Sequence, residues 1–164
     1  VPFVMFFAAV EISAAAGQLD VDPMTMSYLG VPGLLATGLA GMALKRYGSM
    51  SVMLAGFCLM GASFLPPLIL TPEDGVLVTG VVFTFGVALA VPALLSLVGG
   101  AVPDARAFAI SFHACVQFIG VALAPAATEW LLALGSGVEG VAAVAAVLSF
   151  CVLAVNWRAF GSRV

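Results

Sequence analysis

Four polar side chains stand inside long apolar runs: Glu11, Gln18, His113 and Gln117. An unpaired carboxylate in hydrocarbon costs several kcal/mol by insertion scales, so such groups mark chemistry when they occur in apolar surroundings. A carboxyl at Glu11, near the middle of its run, must take up a proton or face a polar cavity. Its candidate roles are a proton site, a contact for a cationic substrate, or the partner of a residue outside this chain. Gln18 lies two turns later, on the same face of a helix. His113 and Gln117 are spaced i and i+4, which places both on one helical face, and imidazole is the side chain that exchanges protons near neutral pH. The ordinary reading of a lone histidine is a satisfied packing residue. Glu129, beside Trp130, reads as a carboxylate that reaches water. Phe3, Met5, Phe6, Phe7, Met24 and Met26 read as core or lipid-facing material. Cys58, Cys115 and Cys151 each sit in an apolar run, fit no CxxC pattern, and read as small buried hydrophobes. No metal and no cofactor is expected.

The elements that carry these residues follow from composition. The chain has 164 residues, 63% hydrophobic and 8% charged, with a mean hydropathy of +1.24. A soluble domain carries roughly a quarter charged residues because its surface must be solvated. Here the charges are too few to cover a globule in water, so the solvent for most of the surface must be lipid. The chain opens on Val1 inside an apolar stretch, with neither initiator Met nor basic leader, which suggests a fragment or a chain cut just before a helix.

A helix that crosses the hydrocarbon needs about 20 apolar residues. Six such segments lie at 1–19, 24–43, 50–70, 76–99, 106–133 and 139–157, separated by polar turns rich in Gly, Pro, Ser and charge. The expected fold is an all-α, integral membrane six-helix bundle over residues 1–164. Short segments of alternating polarity, which a β-barrel requires, are absent from the sequence. All five basic residues (Lys45, Arg46, Arg106, Arg158, Arg163) fall in alternate loops or at the C-terminus. The intervening loops hold Asp20, Asp22, Glu73, Asp74 and Glu139 without Lys or Arg. The positive-inside rule then places both termini in the cytoplasm. Tyr28 and Trp130 near outer boundaries, with Tyr47 and Trp157 near inner ones, fit the interfacial aromatic belts.

Lipid-embedded helices associate where small residues let backbones approach. Gly33, Thr37 and Gly41 form one such stripe, and Gly120, Ala124 and Thr128 another. Pro32, Pro92 and Pro125 lie within spans and are expected to bend or locally unwind them.

The segment Gly41-Met-Ala-Leu-Lys45-Arg46-Tyr47-Gly48-Ser49-Met50 resembles the cytoplasmic loop motif of the major facilitator superfamily, G-x-x-x-D-R-x-G-R-R. Gly41, Arg46 and Gly48 match at the right spacing; Lys45 replaces the acid, and Ser49-Met50 replace the basic pair. Residues 103–125, from Pro103-Asp-Ala-Arg106 through His113 and Gln117 to Gly120 and Pro125, are similar to the tenth loop and eleventh helix of bacterial drug-efflux members. There a short turn precedes a helix with a G-x-x-x-[GA]-P kink. The resemblance implies the C-terminal six-helix half of a twelve-helix transporter, built from two inverted three-helix repeats. It implies close packing at Gly41, a tight inner turn at Gly48, and an Arg46 that binds the ends of neighbouring helices. The substrate cavity of the family lies between its halves, so Glu11, Gln18, His113 and Gln117 are this chain's candidates for a substrate or proton pathway.

The function so implied is secondary active transport in the inner cell membrane, as proton-coupled export of a small organic or amphiphilic molecule by alternating access. The implied partners are the lipid bilayer, that substrate, protons, and a missing N-terminal half or a second copy. No nucleic acid is implied, and no nucleotide-binding loop is present for ATP drive. No enzyme activity is expected. Two alternatives stand beside this reading. Gly61-Ala62-Ser63-Phe64 with His113 resembles the Ser–His dyad of rhomboid proteases, although Ser63 also fits a small packing residue. The other alternative is a non-transporting membrane scaffold half-domain.

Overall fold

The computed structural model describes residues 1–20, Tyr28 and residues 31–160. Asp22, Pro23, Met24, Met26, Arg163 and the opening of the span expected at 24–43 lie outside the described residues. Among the described residues every regular element is helical: α1 (Pro2–Ala15), α2 (Val31–Ala62), α3 (Pro72–Ala101), α4 (Arg106–Ala133) and α5 (Gly137–Phe160). Short 3-10 turns at Pro66–Leu68 and Pro103–Ala105 lead into α3 and α4.

Local chemistry sets the ends of these helices. The α1 helix closes in a Schellman arrangement, with the Gly17 N–H donating to the Ala14 carbonyl (3.0 Å) and the Gln18 N–H to the Ser13 carbonyl (2.9 Å). Gly17 supplies the left-handed residue that this cap needs, at φ 70°. At the start of α3 the Thr71 hydroxyl accepts from the Asp74 N–H (3.4 Å) and donates to its carboxylate (2.9 Å). Glu73 and Asp74 add negative charge to that first turn, where the helix dipole favours it. Pro32 is the second described residue of α2. The α3 and α4 helices run unbroken through Pro92 and Pro125.

The α2 helix is broken at Gly48, whose φ 79° and ψ 156° are open in practice only to glycine. Its two limbs, 31–47 and 49–62, both pack along α3, and their contacts give their directions. On the first limb a Cβ added to Gly33 would stand 2.7 Å from Thr84 Cβ, while Leu44 packs in a cluster with Leu94 and Leu97. On the second, Met53 packs with Ala93, Gly56 lies against Ala90 and Gly86, and the Ser63 carbonyl accepts from Thr79 Oγ1 (2.7 Å). The first limb therefore runs parallel to α3 and the second antiparallel, so the chain reverses at Gly48.

Two apolar clusters join α1 and α5 to the bundle. Phe6 and Val10 pack with Phe64, Val76, Phe83, Ala142, Ala145 and Ala146, and Phe3 stacks on Phe83 at a centroid distance of 4.2 Å. Met5 and Ala9 pack with Ala124 and Val141, and Thr128 Oγ1 donates to the Met5 carbonyl (3.0 Å) or to its own Ala124 carbonyl (2.9 Å). The stripe Gly120, Ala124 and Thr128 thus packs on α1, with Gly120 meeting Val1. In the stripe on α2 Gly33 makes a close approach, whereas Thr37 and Gly41 are exposed.

Among the described residues the interior holds hydroxyls and no charge. Ser63, Thr79, Thr128 and Ser149 are buried, and each hydroxyl donates to a backbone carbonyl. Large apolar side chains cover the outside, among them Leu35, Phe108, Phe118 and Ile69, each more than 70% exposed. Val31–Leu68 (with its reversal at Gly48), Glu73–Ala101, Pro103–Ala133 and Gly137–Val155 are long and apolar enough to cross a membrane, and Pro2–Ala15 is a shorter apolar helix. This inside-out distribution fits a membrane-embedded protein. It also corrects the cysteines: Cys58, Cys115 and Cys151 are exposed, not buried. An apolar run facing lipid is as apolar as one facing the core, so membership of a run does not report burial.

Candidate functional site

The register of the helices sorts the charged side chains by bundle end. Ser49 Oγ lies 3.2 Å from Ser96 Oγ, which brings the Lys45–Gly48 turn beside the last turns of α3. The Arg106 side chain lies against Gly99 in the same region, and Arg158 lines a groove with Leu54 on the second limb of α2. The four described basic residues therefore gather at one end. Glu73, Asp74 and Glu139 occupy first turns at the opposite end, where Val138 packs against the cluster of Phe64 and Val76. Asp104 is the acid that joins the basic end, in the turn before Arg106.

Glu11 sits at the acidic end, not in mid-span. The α1 helix stops at Ala15, about one turn past Glu11. From the Thr128–Met5 hydrogen bond, Glu11 lies roughly 9 Å further along α1, level with the end of α4 at Ala133. Its side chain is exposed and has no hydrogen bond or ion pair among the described residues. Gln18 does not continue that face, because it lies beyond the cap that ends α1. The sequence pattern misled at this point because Ala14-Ala15-Ala16 carries no break; the stop lies in Gly17 and its left-handed backbone.

His113 is half-buried on the face of α4 that continues into Gly120, Ala124 and Thr128, whereas Gln117 is exposed. Val1 meets α4 at Gly120, so α1 covers α4 from that level onward and leaves Gln117 outside the packed bundle. His113 and Glu11 are separated by roughly 30 Å along the bundle axis, and the structure does not bring them together. No family model, curated protein or solved structure matches this chain. Its chemistry must be argued from these residues.

In the turn motif, Gly48 makes the reversal that the resemblance implied. Gly41 faces open space, with nothing within 4 Å of an added Cβ, so the implied close packing is not made among the described residues. Arg46 rests its guanidinium 5.4 Å from the Tyr47 ring centroid, a cation–π contact, and does not bind a helix end there. The pairing of Ser63 with His113 is not assembled. Ser63 is fully buried, and its hydroxyl donates to the Met60 carbonyl (2.7 Å). It sits at the level of Thr79, whereas His113 stands two turns after Arg106, whose side chain lies on Gly99. Twenty residues of α3 separate Thr79 from Gly99, roughly 30 Å of helix.

A tight helix crossing lies at Gly56 and Gly86, which the expected small-residue stripes do not include. A Cβ added at Gly56 would stand 2.7 Å from Ala90 N, and one at Gly86 would stand 2.9 Å from Gly56 O. The signal was present in Gly86 and Ala90, a small-xxx-small pair. The described residues contain no cluster of three His, Cys, Asp or Glu side chains able to hold a metal.

Proposed function

We propose that this chain is a six-helix half of a secondary membrane transporter of the major facilitator type. The six spans are α1, the two limbs of α2, α3, α4 and α5. The observation that carries this reading is the Gly48 reversal, which sets Lys45, Arg46 and Gly48 in a tight turn at the basic end of the bundle. By the positive-inside rule that end is cytoplasmic, with both termini on the same side. The fused unit of α2 and α3, locked by glycine crossings, supplies a rigid element that can rock as alternating access requires. The face of α4 carrying His113 and Gln117 is open, as a substrate-facing wall must be before a second half or copy closes over it.

On this reading the protein exports a small organic or amphiphilic molecule in exchange for protons, and His113 is the proton carrier. Glu11, at the end of α1, contributes electrostatics at the outer mouth. The test uses cells that lack their own efflux pumps, express the full chain and are loaded with ethidium. Efflux should exceed that of the empty vector, stop when a protonophore is added, and fall at least tenfold in His113→Ala. Wild-type efflux equal to the empty vector would overturn the reading, as would efflux indifferent to the protonophore.

A further inference from the structure

At the basic end, the second limb of α2 and α5 leave a groove between them. Leu54 and Cys58 line one wall; Phe150, Leu153, Ala154, Trp157 and Arg158 line the other, around a cavity of about 300 Å³. The groove is closed on the side away from Arg158, where the Phe150 ring packs against Gly61, 3.3 Å from the position of a Cβ there. Its lining is apolar apart from Arg158, which stands just beyond the apolar span Gly137–Val155. Arg158 has no ion pair and no hydrogen bond among the described residues. Trp157, 63% exposed, flanks it with an indole suited to the membrane–water boundary.

We propose that this groove binds one anionic phospholipid, with an acyl chain along the helices and the phosphate on the Arg158 guanidinium. Length supports this occupant. From Phe150 to Arg158 the groove follows α5 for roughly 12 Å, close to the roughly 15 Å depth of one leaflet of a 30 Å hydrocarbon core. Charge supports it too, because a guanidinium with no ion pair among the described residues, at the mouth of an apolar slot, is complementary to a headgroup phosphate whose tail is apolar. Arginine matches phosphate through parallel N–H donors. The α2–α5 groove lies apart from the His113 face of α4, so the site needs membrane embedding but not transport.

The test places the Trp130→Phe protein, which keeps Trp157 as its one tryptophan, in phosphatidylcholine vesicles. Trp157 quenching is then measured with brominated phosphatidylglycerol and with brominated phosphatidylcholine. The anionic lipid should associate about fivefold more strongly, the factor that corresponds to roughly 1 kcal/mol per basic residue at an anionic surface. Arg158→Gln should bring the ratio to one, and Ala154→Phe, which fills the groove, should remove quenching by the anionic lipid at low mole fraction. A ratio of one in the parent protein overturns the site, as does a preference that survives either substitution. Quenching by phosphatidylcholine reports embedding separately. If neither lipid quenches Trp157, the membrane placement itself is wrong and the site falls with it.

Discussion

Gly56→Ala and Gly38→Ala make the same chemical change in α2 with opposite expected outcomes. At Gly56 the new methyl carbon would stand 2.7 Å from Ala90 N, 2.8 Å from Ala90 Cβ and 2.8 Å from Gly86 O, two of them main-chain atoms. Ordinary van der Waals contact begins at 3.4 Å, so the second limb of α2 and α3 must part by about 0.7 Å at the crossing. A gap of that size forfeits a quarter to a half of each contact's attraction, at about 0.1–0.2 kcal/mol per atom pair. Over a crossing of some twenty to thirty pairs this is about 1–2 kcal/mol, within the usual range for overpacking. At Gly38 nothing lies within 4 Å, and alanine gains up to about 1 kcal/mol of helix propensity. Alanine at Gly56 gains the same propensity, so the two variants should differ by the packing cost alone, about 1–2 kcal/mol. The assay is reversible unfolding of the protein in mixed micelles by increasing dodecyl sulfate, followed by helical circular dichroism. Midpoints that shift equally in both variants would refute the claim that a backbone-to-backbone crossing holds α2 on α3.

Two further substitutions probe the turn and the buried hydroxyls. Gly48→Ala forces a side chain into φ 79°, ψ 156°, a strain of about 1–3 kcal/mol, and should lower the same unfolding midpoint while Gly41→Ala, in open space, leaves it unchanged or raises it. Thr79→Val keeps shape but removes the donor that caps the Ser63 carbonyl (2.7 Å) at the end of α2; a loss of about 0.6–1.7 kcal/mol is expected for an interhelical hydroxyl bond in a membrane protein. A Thr79→Val midpoint equal to the parent would show that Ser63 finds another donor.

Several helix ends were legible because their causes are local, although α1 stops at Ala15 and α2 at Ala62, short of the expected 19 and 70. Pro72 after Thr71, the acids at Glu73 and Asp74, and Gly135 at φ 79° after α4 are each readable from residue type. At Gly48 the chain takes φ 79° and ψ 156°, a backbone that glycine reaches without a side-chain clash. Which face of a helix meets which neighbour was much less legible. In water a packing face is apolar and a solvent face polar, so periodicity reports burial. Here the outer face is as apolar as the inner one. That is why Cys58, Cys115 and Cys151 were read as buried and why Thr37 and Gly41 were read into one stripe with Gly33, which makes the close approach. Small residues at a crossing remain a signal, but choosing Gly56 and Gly86 over Gly38 and Gly100 requires the partner helix.

The candidate site shows the same limit from the polar side. Depth was inferred for Glu11 by counting residues from the ends of an apolar run, and the run outlasted the helix by several residues. Gly17 ends α1 early and leaves the carboxylate about one turn from the end of the helix, with its side chain exposed. His113 is robust to such an error because its run is bounded at both ends by turns: Pro103–Ala105 before it and the Gly135 reversal after it. A residue two turns from one boundary and about five and a half from the other stays inside the helix even if either boundary shifts by a turn. His113 is therefore held well inside α4, whereas Glu11 lies about one turn from the end of α1. Depth argued from two fixed ends outranks polarity argued from one.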